Sequence, residues 1–129
     1  MMVNLRQFEV TDPFGRVWQA EFRWQQNAIS IRHCDAVDCK YYLTSGEEKR
    51  EMVVALMHAD LMAVASAEGR ELTDAWCMGL AGLHLRHMIA TWADMEQAIA
   101  VVVPGALAQY ASEIETLTRQ ERERAANAH

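Results

Sequence analysis

The sequence predicts an α+β domain in which an N-terminal antiparallel β-meander of about four strands is followed by three to four α-helices packed on one face of the sheet. Three observations predict it. Within Arg16 to Trp24, apolar and polar side chains alternate strictly from Trp18 onward, which is the period of a half-buried strand. The segments of this kind are joined by links too short for parallel crossovers. After Ser45 the turn signals thin out and apolar residues recur at helical spacing, and strands first with helices after is the α+β order.

The first strand is Val3 to Val10, closed by Asp12-Pro13-Phe14-Gly15, which has proline and glycine where a type I turn takes them. The second is Arg16 to Trp24, with Trp18, Ala20, Phe22 and Trp24 on one face and Val17, Gln19, Glu21 and Arg23 on the other. Gln25-Gln26-Asn27 then supplies a turn, and Ala28 to Cys34 alternates again through Ile29, Ile31 and His33. Asp35 to Asp38 reads as a loop before a fourth strand, Cys39 to Thr44.

Ser45 with Glu48 three residues later is a capping-box spacing, in which each side chain satisfies a backbone donor at a helix start. It predicts a helix running to about Glu68, with Gly69 placed to take the left-handed conformation that ends it. Thr73 or Asp74 caps a second helix through about Trp92, and a third runs near 94–102. Pro104 suits a first helical turn, so a fourth helix is expected at 105–124. The expected organisation is one domain over 1–129: a sheet at 1–45, a helical layer at 46–117 and a charged, frayed tail at 118–129.

Composition narrows the partners. A chain of 129 residues with 51% hydrophobic and 23% charged side chains has room for one core. Its formal net charge of −6 argues against nucleic acid, whose binding rests on neutralising phosphates, and against an anionic membrane surface. The start, Met1 to Gln7, lacks a basic stretch followed by an apolar run, and an odd count of three cysteines fits reduced thiols. A cytoplasmic location is the expectation. No GxGxxG, Walker-type loop, GxSxG elbow or EF-hand loop is present.

Candidate sites arise where a polar residue interrupts an apolar pattern. On a helical wheel for Met52 to Ala67, Asp60 falls inside the arc of Val53, Val54, Leu56, Met57, Leu61 and Val64, while His58 projects to the polar side. The second helix carries large residues around most of its circumference, with Gly79, Gly82, Arg86 and Ala90 as a thin strip and His84 and His87 among the large groups. If the first two helices pack as an antiparallel pair, Asp60, His84 and His87 converge. A carboxylate beside two imidazoles binds a divalent metal or moves a proton. The same residues, with Arg86, also make an ordinary buried and satisfied network.

Cys34 and Cys39 would flank the four-residue loop and face each other, as a redox clasp or as two reduced structural thiols, whereas Cys77 reads as core. Met62 projects onto the polar side of its helix, and Trp18, Phe22 and Trp24 form an aromatic face without a basic groove, hence core. No cofactor is predicted beyond a possible divalent metal.

The leading functional expectation is a non-enzymatic protein-interaction or assembly module acting as a homodimer, with contacts around Gly79, Gly82 and the later helices. A 129-residue monomer has little core with which to cover so apolar a second helix. The competing expectations are a metal-dependent or acid/base site on Asp60, His84 and His87, and a thiol switch at Cys34 and Cys39.

Overall fold

The structure is a computed structural model that describes residues 4–29 and 35–127. Over these residues it is α+β: a five-stranded, mostly antiparallel sheet with three helices. The strands are β1 (Gln7–Thr11), β2 (Val17–Ile29), β3 (Asp35–Ser45), β4 (Glu48–Met57) and β5 (Ile99–Val101), in spatial order β1-β2-β3-β4-β5. The helices are α1 (His58–Glu68), α2 (Asp74–Thr91) and α3 (Pro104–Ala126).

The turn at Asp12-Pro13-Phe14-Gly15 forms as its residues dictate, with the Gly15 amide donating to the Asp12 carbonyl over 3.2 Å and Gly15 at φ +88°. Beyond it the expected three short strands become two long ones. Gln25-Gln26-Asn27 is strand, with Gln25 opposite Cys39 and Asn27 opposite Val37, and Asp35 to Asp38 is strand as well. The predicted third strand therefore belongs partly to β2, and its remainder, with His33 and Cys34, lies outside the described residues.

One irregularity reverses a face. Phe22 pairs with Tyr41 but Trp24 pairs with Lys40, so Arg23 is an extra residue, a β-bulge. Because side chains alternate with period two, the extra residue turns Trp24 away from the core that Trp18, Ala20 and Phe22 enter. Trp24 is 39% exposed, against the expectation that it shares their face.

The largest correction concerns residues 46–57. Ser45 and Glu48 are partners across a tight hairpin, with Gly46 at φ +60° in the first central position, where a type II′ turn requires it. The chain then continues as strand β4, paired with β3 on one side and β5 on the other. Val53 and Val54 are β-branched, and the run Met52 to Met57 is continuously apolar, as suits a central strand. The helix begins only at His58 and ends, as expected, at Gly69 with φ +65°.

Thr73 caps α2, its Oγ1 accepting from the Trp76 amide over 3.2 Å. Residues 94–102 are not helical: Asp94 has φ +59° and Ile99–Val101 is a strand parallel to β4, reached by the crossover through α1 and α2. Pro104 occupies the first turn of α3, which starts and ends within two residues of the expected 105–124.

One hydrophobic cluster joins the inward residues of the sheet, among them Trp18, Tyr41, Leu43, Met52 and Val54, to Leu61, Leu80, Leu85, Met88, Ile89 and Leu107 of the helices. α2 packs on β1 to β4 and on α3, and α1 packs on β3, β4 and α3. No Cα of α1 lies within 8 Å of a Cα of α2; α3 is the helix that both approach this closely.

Candidate functional site

α2 and α3 enclose an open groove of about 550 Å³. Its small lining residues, Ala90, Ala93 and Ala106, leave room that larger side chains would fill, and its polar lining comes from His84, Arg86 and His87 of α2, Asp94, and Gln109, Tyr110 and Glu113 of α3. The i, i+3 spacing puts His84 and His87 on one side of α2. His84 is half-buried and His87 is exposed at the rim.

His84 Nδ1 lies 3.0 Å from the Tyr110 hydroxyl, with the two rings edge to face at 5.6 Å. Burial holds the His84 imidazole below its ordinary value, His87 pushes it the same way and Asp94 opposes both. Burial, with Glu113 adding to it, raises the Tyr110 phenol. Both groups are therefore neutral at neutral pH and share a hydroxyl–imidazole hydrogen bond, a pair able to pass a proton or bind a polar ligand.

The structure brings His84 and His87 to this groove and leaves Asp60 elsewhere. Asp60 sits in the first turn of α1, where a carboxylate is favoured by the helix dipole, and it does not line the groove between α2 and α3. Among the described residues no group of three or more His, Cys, Asp and Glu side chains is placed to hold a metal ion. Sequence reasoning missed Tyr110 and its α3 neighbours. The signal was the spacing of Ala106, Gln109, Tyr110 and Glu113 along one side of the last helix.

Cys39 and Cys77 fall in the core. Cys39 Sγ lies 3.6 Å from Gln25 Oε1, and burial, followed by Cys77, Asp38 and Asp74, pushes its thiol up to about 12. Burial also raises Cys77 to about 11. The loop that was to set Cys34 opposite Cys39 is strand, and Cys34 itself lies outside the described residues.

The apolar circumference of α2 is covered by this chain. A Cβ at Gly79 would meet Ile114 of α3, and one at Gly82 would meet Leu5 and the Tyr41 hydroxyl. The expected intermolecular contact at these glycines is thus an intramolecular one. Exposed apolar residues gather instead at the β5 edge. Ile99 and Val101 are each 54% exposed and Val103 is 62% exposed. The Val53 amide donates to the Ala98 carbonyl and the Val102 amide to the Ala55 carbonyl. Even-numbered residues thus face β4, and the backbone groups of Ile99 and Val101 point to the free edge.

No family model, curated protein or solved structure matches the chain significantly.

Proposed function

We propose that this protein is a non-enzymatic interaction module that works by self-association, as a homodimer, through the β5 edge of its sheet. The observation that carries the reading is that Ile99, Val101 and Val103 leave an apolar edge with no charged side chain on it. Proteins that stay apart blunt such edges with charges, and an unblunted edge is a template for pairing. Sedimentation equilibrium tests it. The apparent mass should rise from 14.6 kDa toward twice that value as concentration increases from ~1 to ~100 μM, the range of a small interface. A constant monomer mass would sink the proposal.

A second reading, favoured by the His84–Tyr110 pair, is that the groove between α2 and α3 binds a small polar ligand or a divalent cation, or moves a proton. Imidazole resonances followed by NMR during addition of zinc or inorganic phosphate would test the binding. His84 should shift at concentrations that leave the exposed His58 unmoved, and equal responses would remove this reading.

A further inference from the structure

We infer that two copies join by antiparallel pairing of β5 with β5 about a two-fold axis at Ala100, so that their sheets become one continuous sheet. The inference rests on the self-association proposed above and adds its register. Ile99 and Val101 are the residues whose N–H and C=O groups point away from β4. In an antiparallel ladder, opposed residues of this kind exchange both of their N–H···O=C bonds, and the residue between them forms a pair without backbone bonds. A two-fold axis at Ala100 satisfies that rule: Ile99 of each copy faces Val101 of the other, and Ala100 faces its own counterpart.

Side chains agree with the backbone. Opposed residues of an antiparallel pair lie on the same face. Ile99 and Val101 share the sheet's outer face with Val53 and Ala55, their neighbours in the β4 ladder, whereas Ala100 is buried on the helical side. Pairing therefore joins two apolar strips into one on the outer face and sets the small side chain of Ala100 against its counterpart on the inner face. No like charges meet in this register, because Gln97 faces Val103 and Glu96 faces Pro104.

The opposite edge carries different side chains. The Phe22 amide donates to the Arg6 carbonyl and the Asp12 amide to the Arg16 carbonyl, so β1 turns its even-numbered residues to β2 and leaves Gln7, Glu9 and Thr11 facing out. Gln7, Glu9 and Thr11 are exposed and make that edge polar, with a charge of the kind that blunts an edge against pairing. Of the two sheet edges, β5 is the apolar one.

The test uses opposite charges placed to read the register. Ile99→Lys alone and Val101→Glu alone each put a charge against an apolar partner and its own copy nearby, and each should weaken dimerisation at least ~10-fold in sedimentation equilibrium. In the double variant, the introduced lysine of one copy faces the introduced glutamate of the other, and dimerisation should return. Val101→Pro removes an outward N–H that β4 does not use, so it should also give a monomer with an unchanged far-UV spectrum. If the wild-type chain dimerises and the single charges or the proline leave it dimeric, the edge is not the contact and this inference falls while self-association stands. If the single charges break the dimer and the double variant fails to restore it, the two-fold register is wrong. If the wild-type chain is monomeric, the proposed function falls with it.

Discussion

The Trp18 indole donates from Nε1 to Oδ2 of Asp12 over 2.9 Å, deep in a hairpin where Asp12 is the buried charged residue among those described. The same oxygen accepts from Arg16 Nε at 2.8 Å, while Oδ1 accepts the Phe14 and Arg16 amides at 2.9 Å each. Four donors converge on one carboxylate. Burial alone would raise its pKa, but the hydrogen bonds from Trp18, Arg16 and Phe14 outweigh it and hold the group at about 2.

Asp12→Asn should therefore destabilise the protein, although it keeps size and shape. One of its two heads becomes an NH₂ that must face donors whichever way the amide turns, so at least one pair is lost. The expected drop in Tm at pH 7 exceeds about 5 °C. The loss should also depend on pH. The folded value of about 2 lies below the ordinary 3.8, so the carboxylate's contribution is complete above pH 3.8 and disappears as pH falls toward 2. Thermal melts of wild type and variant should converge in that acid window, and curves that stay parallel down to pH 2 would show that Asp12 is not the group responsible.

Gly82 and Gly79 of α2 should respond differently to alanine. At Gly82 a Cβ would lie 3.0 Å from Leu5 Cβ, 3.1 Å from the Leu5 carbonyl oxygen and 3.1 Å from the Tyr41 hydroxyl. That hydroxyl is held by the Leu5 and Met78 carbonyls at 3.0 and 3.2 Å. None of these atoms moves freely, so Gly82→Ala should cost about 1–3 kcal/mol in urea unfolding despite the gain in helix propensity. At Gly79 the close neighbour is the terminal Cδ1 of Ile114 at 2.9 Å, which can rotate away. Gly79→Ala should stay within about 1 kcal/mol of wild type. Equal losses at the two sites would contradict this packing.

Trp92 ends α2 with φ +60°, a backbone conformation that suits glycine. It is held there by packing: its ring lies 5.9 Å from Trp18 and 5.8 Å from Phe14, with the Arg16 and Arg50 guanidinium groups 4.9 and 5.6 Å from its centroid. Truncation removes those contacts and leaves the strain. Trp92→Gly should therefore be more stable than Trp92→Ala by about 1 kcal/mol, the reverse of the order in a helix interior. Chemical unfolding of the two variants gives the ranking directly, and alanine above glycine would show that the left-handed geometry relaxes once the ring is gone.

Much of the helical part was legible because its boundaries rest on single residues with one dominant preference: Gly69, Thr73 and Pro104 each do what their chemistry favours. Residues 46–57 were misread because Ser45 and Glu48 fit two local motifs. At the same spacing they make a capping box or flank a two-residue turn, and the neighbouring strands decide between them. The Arg23 bulge leaves no mark in the alternation that it breaks, so Trp24 could not be turned outward from sequence. Of the candidate site, the histidines were visible through their spacing on one helix. Tyr110 depends on which helix lies beside them, and the placement of Asp60 depended on a helix pair that does not form.

The His84–Tyr110 pair gives a further pH dependence, opposite in charge type to that of Asp12 but alike in direction. Burial, then His87, holds His84 below its ordinary 6.5, with only Asp94 opposing. A folded value below the unfolded one means that the unfolded chain binds the proton first on acidification. The contribution of neutral, hydrogen-bonded His84 is thus complete above pH 6.5 and is lost as pH falls through the depressed folded value. His84→Gln cannot take part in this titration, and ionisable groups not coupled to it are common to both proteins and cancel in their difference. The gap in unfolding free energy between wild type and His84→Gln should accordingly narrow from pH 7 toward pH 5, measured by urea titration at fixed ionic strength. Tyr110→Phe removes the hydroxyl partner 3.0 Å away and should lower stability at pH 7 by about 1 kcal/mol, the net value of one such hydrogen bond. A gap that stays constant across this range would mean that His84 titrates alike in the folded and unfolded chains, and that the groove does not desolvate it.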